Sequence, residues 1–218
     1  TGTQLHKLVA SDAAASDEFG YSVAISGNYA IVGARYNDDG GSNSGSAYIF
    51  NVSTGTELHK LVASDAAAND YFGYSVAISG NYAIVGAYLN DDGGSDSGSA
   101  YIFNVSTGTE LHKLVASDAA ASDQFGISVA ISGNYAIVGA RYNDDPGDSG
   151  SAYIFNVSTG TQLHKLVASD AAASDYFGYS VAISGNYAIV GAYSNDDVPN
   201  DSGSAYIFNV STGTQLHK

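Results

Sequence analysis

The residues of this chain best suited to chemistry sit in four acidic clusters: Asn37-Asp38-Asp39, Asn90-Asp91-Asp92, Asn143-Asp144-Asp145 and Asn195-Asp196-Asp197. Each is followed by a polar stretch holding a further Asp or Asn. Calcium takes about six to eight hard oxygens, and clustered carboxylates on a Gly-rich loop supply several of them. Asp38, Asp39, Asp91, Asp92, Asp144, Asp145, Asp196 and Asp197 are therefore the candidate calcium ligands, and calcium is the one cofactor the sequence points to. Against this stand a spacing unlike an EF-hand loop and the prolines Pro146 and Pro199 in two of the clusters. Turns also favour Asp, Asn and Gly for backbone reasons alone.

Other residue types invite a chemical reading and a structural one. Tyr36, Tyr88, Tyr142 and Tyr193 flank the acidic clusters at a strand exit, where rings with a polar tip can stack on a sugar or anchor a protein. Asn51, Asn104, Asn156 and Asn209 each open Asn-Val-Ser, an acceptor sequence for N-glycans; the same side chain can instead bond the backbone of the Ser-Thr-Gly turn that follows. Asp12 and Asp17, with Asp65 and Asp70, Asp118 and Asp123, and Asp170 and Asp175, bracket short Ala-rich stretches and read as turn caps. His6, His59, His112, His164 and His217 recur in Leu-His-Lys, where the adjacent lysine disfavours a bound cation. No catalytic set stands out, because Ser, His and Asp occur in every copy. The residues that differ between copies, such as Glu18, Gln124, Ile127 and Pro146, make no acid-base pair or nucleophile.

These residues recur because the chain is one unit written four times. Phe19-Gly20, Phe72-Gly73, Phe125-Gly126 and Phe177-Gly178 are spaced by 53, 53 and 52 residues. A period of this length marks a propeller, solenoid or array, since one unit cannot cover its own apolar face. Within the first unit Tyr21 to Ser26 and Tyr29 to Ala34 flank Gly27-Asn28, a tight hairpin. Two more β-branched runs follow, Ser46 to Val52 and Thr56 to Val62, giving four strands per unit and no sustained helical period. The expected fold is all-β: a β-propeller of four near-identical, four-stranded antiparallel blades, alone or as part of a longer array. The blades run over about 11–63, 64–116, 117–168 and 169–218 of one repeat array spanning 1–218, and residues 1–10 form a strand that matches the C-terminal segment. Thr1 to Lys7 is repeated as Thr212 to Lys218, either as a clasp or because the residues are a window on a longer run of repeats. Small residues such as Gly33 and Ala34 let inner strands approach near the axis.

Phe-Gly followed by Ser-Val-Ala-Ile-Ser-Gly and then Ala-Ile-Val-Gly-Ala resembles the FG-GAP repeat, the blade unit of integrin α-chain propellers and of many secreted bacterial proteins. The resemblance covers all four units. It implies a non-catalytic extracellular module for adhesion or recognition, often with calcium on an Asp-rich hairpin loop. Here that hairpin is the short Ser-Gly-Asn-Tyr, and the proline that closes the family's Gly-Ala-Pro is Arg35, Tyr88, Arg141 or Tyr193, so the family's calcium ligands do not carry over.

Composition narrows the partners. With 22 acidic residues against 7 Lys plus Arg and a net charge of -15, the surface repels nucleic acid and anionic lipid. The chain has no Cys, Met or Trp, which removes disulfides and thiol chemistry and suits an extracellular or cell-surface setting. No run is long and apolar enough for a membrane span. The partners left are a protein or carbohydrate ligand, or further copies of the chain itself. The functions expected are a binding, adhesion or scaffold module, a filament or surface-layer subunit joined by terminal strand pairing, or a calcium-dependent carbohydrate-binding module; an enzyme is not expected.

Overall fold

The computed structural model describes residues 2–143, 147–196 and 202–218. Each repeat folds as one antiparallel sheet whose strands keep chain order from edge to edge. The first blade comprises β1 (Ser22–Ser26), β2 (Tyr29–Ala34), β3 (Ser46–Asn51) and β4 (Glu57–Leu61). The second comprises β5 (Ser75–Ser79), β6 (Tyr82–Ala87), β7 (Ser99–Asn104) and β8 (Glu110–Leu114). In the third, β9 (Phe125–Ser132) is followed by β10 (Tyr135–Ala140), β11 (Ser151–Asn156) and β12 (Gln162–Leu166). The fourth has β13 (Phe177–Ser184), β14 (Tyr187–Ala192), β15 (Ser204–Asn209) and the short β16 (Gln215–His217). This is the β-propeller blade, present four times.

The first hairpin closes with Ser26 opposite Tyr29. Only Gly27 has a positive φ, +56°, which fits a type II′ turn with glycine at its first central position. Asn28 does not share that backbone conformation. Its carbonyl and its Oδ1 instead accept from Val52 N (2.9 Å) and Ser53 N (3.1 Å), tying the hairpin to the turn after β3.

Alternation along the strands gives each blade two apolar faces, and the blades stack face on face. Ile31, Ala47, Ile49, Leu61 and Ala63 of the first blade meet Phe72, Val76, Ile78, Val85 and Phe103 of the second in one buried cluster. The same arrangement recurs between the second and third blades and between the third and fourth. The Phe of each Phe-Gly pair is the pin of the joint. Phe72 lies edge-on to Tyr101 at 5.5 Å and to Phe103 at 5.8 Å between ring centroids, geometry worth about 0.5–1.5 kcal/mol beyond simple burial. Gly33, Gly86 and Gly139 then lie against the glycine of the next blade's Phe-Gly pair, so inner strands come together backbone to backbone.

Residues 2–10, expected as a strand, pair with no strand among the described residues. They nevertheless occupy the place of a fourth strand from a preceding blade. Leu8 and Ala10 pack on Val32, Ala34, Tyr48 and Phe50 of the first blade. Phe19 joins them there, edge-on to Tyr48 at 5.5 Å and to Phe50 at 5.9 Å between ring centroids.

Candidate functional site

The acidic clusters are held from both sides by the fold. Asn37 and its equivalents Asn90, Asn143 and Asn195 are buried, each donating its amide to the buried Asp17, Asp70, Asp123 or Asp175, at 3.4, 3.3, 3.1 and 3.0 Å. Those aspartates also accept the backbone N–H three residues before them, as in Ala67 N to Asp70 at 2.9 Å, so they cap turns as expected. Asp38 Oδ1 accepts Asn43 N at 2.7 Å and Asp91 Oδ1 accepts Asp96 N at 2.8 Å. Asp39 and Asp92 are ion-paired with Lys60 and Lys113. Asp196 is exposed, while Asp144, Asp145 and Asp197 lie outside the described residues.

The same lysines reach a second carboxylate. Lys60 pairs with Asp12, Lys113 with Asp65, Lys165 with Asp118 and Lys218 with Asp170. Each of these aspartates also receives a buried tyrosine hydroxyl: Tyr48, Tyr101, Tyr153 and Tyr206, at 2.8 to 2.9 Å. Burial works against ionisation of Asp12, Asp65, Asp118 and Asp170, but the lysine and tyrosine bonds outweigh it and hold all four below the usual carboxylate value. Burial and the Asp170 bond push the Tyr206 hydroxyl up to about 12. The candidate calcium oxygens of Asp38, Asp39, Asp91 and Asp92 are therefore bonded to loop N–H groups and ammonium cations. Among the described residues, no three His, Asp or Glu side chains gather as a metal site.

The histidines and sequon asparagines serve the architecture. His59 Nε2 donates to the carbonyl of Ser106 in the next blade at 3.1 Å, and His6, His112 and His164 do the same to Ser53, Ser158 and Ser211. Asn51 Oδ1 accepts Ser53 N (3.0 Å), Ser53 Oγ (2.7 Å) and Thr54 N (3.1 Å). Asn104, Asn156 and Asn209 repeat this pattern, so the sequon side chain organises its own turn.

The surface that stands apart lies at one end of the inner strands, where the residue before each Phe-Gly meets the residue leaving the second strand. Glu18, Tyr71, Gln124 and Tyr176 all hold left-handed backbone, φ +54°, +55°, +56° and +56°. Such a conformation in a non-glycine residue persists only when its surroundings impose it. Here the next turn does so: Tyr74 N donates to Tyr71 O, and Ile127 N to Gln124 O. Seventeen residues on from each comes its partner. Arg35 Nε donates to Glu18 at 2.8 Å and Arg141 Nε to Gln124 at 2.9 Å. In the intervening blades the pair is tyrosine on tyrosine: Tyr71 with Tyr88 at 5.9 Å and Tyr176 stacked on Tyr193 at 5.3 Å.

These pairs merge across the joints. The Arg35 guanidinium lies 3.8 Å over the Tyr21 ring and 4.5 Å over Tyr36. Tyr21 contacts Tyr74 at 5.0 Å, Tyr74 contacts Tyr88 at 4.4 Å, and Tyr36 contacts Tyr71 at 5.3 Å. At the other end Arg141 covers Tyr142, and Tyr142, Tyr176, Tyr179 and Tyr193 form a second group. Burial raises the Tyr88 hydroxyl above its ordinary value, with Arg35 and Arg141 pulling the other way. The four expected tyrosines thus all belong to this aromatic and arginine lining, Tyr36 and Tyr88 in its first group and Tyr142 and Tyr193 in its second. Sequence reading missed Arg35, Arg141, Tyr71, Tyr74, Tyr176 and Tyr179. The available signal was the matched alternation at a separation of seventeen, polar with arginine in blades one and three, tyrosine with tyrosine in blades two and four.

A family model described as the FG-GAP repeat matches the chain four times, at residues 3–50, 56–103, 109–155 and 161–208. A search of the curated proteins found no match. Among solved structures, the chain is similar to one titled "Crystal structure of the computationally designed Ika4 protein", with a TM-score of 0.60 and 18% identity, covering 96% of this chain and 99% of that one. At that identity the likeness bears on the fold alone.

Proposed function

This chain belongs to the FG-GAP repeat family, and from that premise we propose that it is a non-catalytic recognition module acting outside the cell, whose ligand surface is the tyrosine and arginine lining and whose ligand is a neutral carbohydrate. The observation that carries this reading is the gathering of Tyr21, Tyr36, Tyr74, Tyr88 and Arg35 into one continuous, partly exposed surface. Ring faces stack on the C–H faces of a sugar, while phenol and guanidinium groups bond its hydroxyls. A net charge of -15 argues against anionic polymers. The residues that differ between blades pair as arginine with Glu or Gln and as tyrosine with tyrosine, which supports binding rather than acid-base or nucleophilic work.

The extracellular placement is supported by the absence of Cys and Met and by four Asn-Val-Ser turns at the sheet edge. Four near-identical blades also suit adhesion through avidity. Calcium has no part in this reading, because lysine already faces Asp39 and Asp92.

Because the chain has no Trp, its intrinsic fluorescence reports on tyrosine. Titration with a panel of neutral oligosaccharides is expected to quench it saturably, and Tyr88→Ala and Tyr193→Ala to weaken binding about tenfold. Saturable binding that both variants leave untouched would place the ligand elsewhere, and capture of a protein with no response to any glycan would replace the ligand class.

A further inference from the structure

Two blades place an arginine in the tyrosine lining, and the two arginines differ in charge balance. Arg35 Nε donates to the Glu18 carboxylate at 2.8 Å, an ion pair that cancels its charge. Arg141 Nε donates at 2.9 Å to the neutral amide oxygen of Gln124, which holds the same place in the third blade. Among the described residues Arg141 pairs with no carboxylate, whereas Lys60, Lys113, Lys165 and Lys218 each face at least one. Its two Nη groups bond to nothing among those residues and are not buried, so the terminal N–H donors of the fork are open to solvent. Rings hold that fork across the joint between the third and fourth blades. The guanidinium lies 4.6 Å over Tyr142 and 5.5 Å over Tyr179, and Tyr176 meets Tyr142 edge-on at 5.4 Å. A guanidinium fixed in this way loses less freedom when it binds.

We propose that Arg141 and its rings form a subsite for the carboxylate of an acidic sugar, a hexuronate unit in an otherwise neutral oligosaccharide, and that Gln124 sets this specificity. The inference rests on the carbohydrate reading above and deepens it. A guanidinium meets a carboxylate with two parallel N–H···O bonds, and such charge-assisted bonds are about twice as strong as neutral ones. Tyr142 and Tyr176 offer ring faces to the sugar that carries it. Arg35 shows the contrasting case: Glu18 already supplies its anion, and a second carboxylate arriving there would meet like charge. The net charge of -15 weighs against a polyanion but not against one carboxylate seated on its partner, because exposed charges are screened beyond about 8 Å at physiological salt.

Tyrosine fluorescence titration with matched hexose and hexuronate oligosaccharides is expected to show the acidic member bound about tenfold more tightly, a preference that shrinks as salt rises. Gln124→Glu rebuilds in the third blade the pair that Glu18 and Arg35 make in the first, so it is expected to fold. It should abolish the preference and leave the affinity for the neutral member in place. Glu18→Gln is expected to do the reverse, freeing Arg35 and doubling the hexuronate bound per chain. Neutral members that bind as tightly as their acidic counterparts overturn the inference and leave the carbohydrate reading standing. A preference that survives Gln124→Glu also overturns it, since the carboxylate then sits elsewhere. Failure to bind any sugar of either kind overturns both readings, and a response to a glutamate-rich peptide in that case puts a protein in the sugar's place.

Discussion

A Cβ built on Gly86 would lie 2.0 Å from the carbonyl oxygen of Gly126, the glycine of the next blade's Phe-Gly pair. The two backbones approach as closely as they do because neither residue has a side chain. The blade angle is thereby set at the inner strands, and the apolar faces behind them follow.

Gly86→Ala is therefore expected to destabilise the chain by about 2–3 kcal/mol or more, since rigid backbone has to move. Gly80→Ala, at a turn with φ +56° and open space around it, carries only the backbone penalty, about 1 kcal/mol. Urea denaturation of the two variants checks the order, and equal costs would mean that the joint tolerates a wider blade angle.

Acid is expected to weaken the fold through the tyrosine, aspartate and lysine triads. Asp12, Asp65, Asp118 and Asp170 have native values below their ordinary one. Their contribution is complete above the unfolded carboxylate value, about 4, and is lost as pH falls through the lower native values. Asp70, raised by burial, acts in the opposite sense, so the measured slope is a difference. Melting temperature against pH is expected to fall below pH about 4, and Asp65→Asn to flatten that fall.

Alkali should weaken it as well. The Tyr206 hydroxyl, pushed up to about 12 by burial and by Asp170, keeps its proton in the native state while the unfolded chain gives it up near pH 10. Stability is expected to decline above pH about 10, and Tyr206→Phe to remove part of that decline.

Calcium and a chelator are both expected to leave the melting temperature unchanged, because Asp39 and Asp92 face lysine and Asp38 and Asp91 accept loop N–H groups. A rise of several degrees on adding calcium would show that the metal displaces those lysines.

The alternating pairs should show coupling. Glu18→Tyr alone or Arg35→Tyr alone leaves one half of a pair unmatched, whereas both together recreate the Tyr71 and Tyr88 arrangement. The double variant is expected to be more stable than the sum of the singles by about 0.5–1 kcal/mol. Strict additivity would mean that the pairs are independent.

Much of this protein is legible in its residues because the signals are local. The 53-residue period, the β-branched runs and the Gly27 turn depend on near neighbours in the chain, and they specify strands and hairpins wherever the sheet ends up. The fourfold repeat then requires face-to-face packing, since a lone sheet leaves its apolar face in water. Distance in the chain hides the rest. Lys60 reaches Asp12 across 48 residues and Asp39 across 21, which turns an expected turn cap and an apparent metal ligand into ion pairs. Tyr36 and Tyr88 belong to one surface only because successive blades bring their strand exits together. Repetition also conceals position: Val23 and Val76 stand in identical sequence, yet one is exposed and the other buried, because burial depends on whether a neighbouring blade is there to cover the side chain.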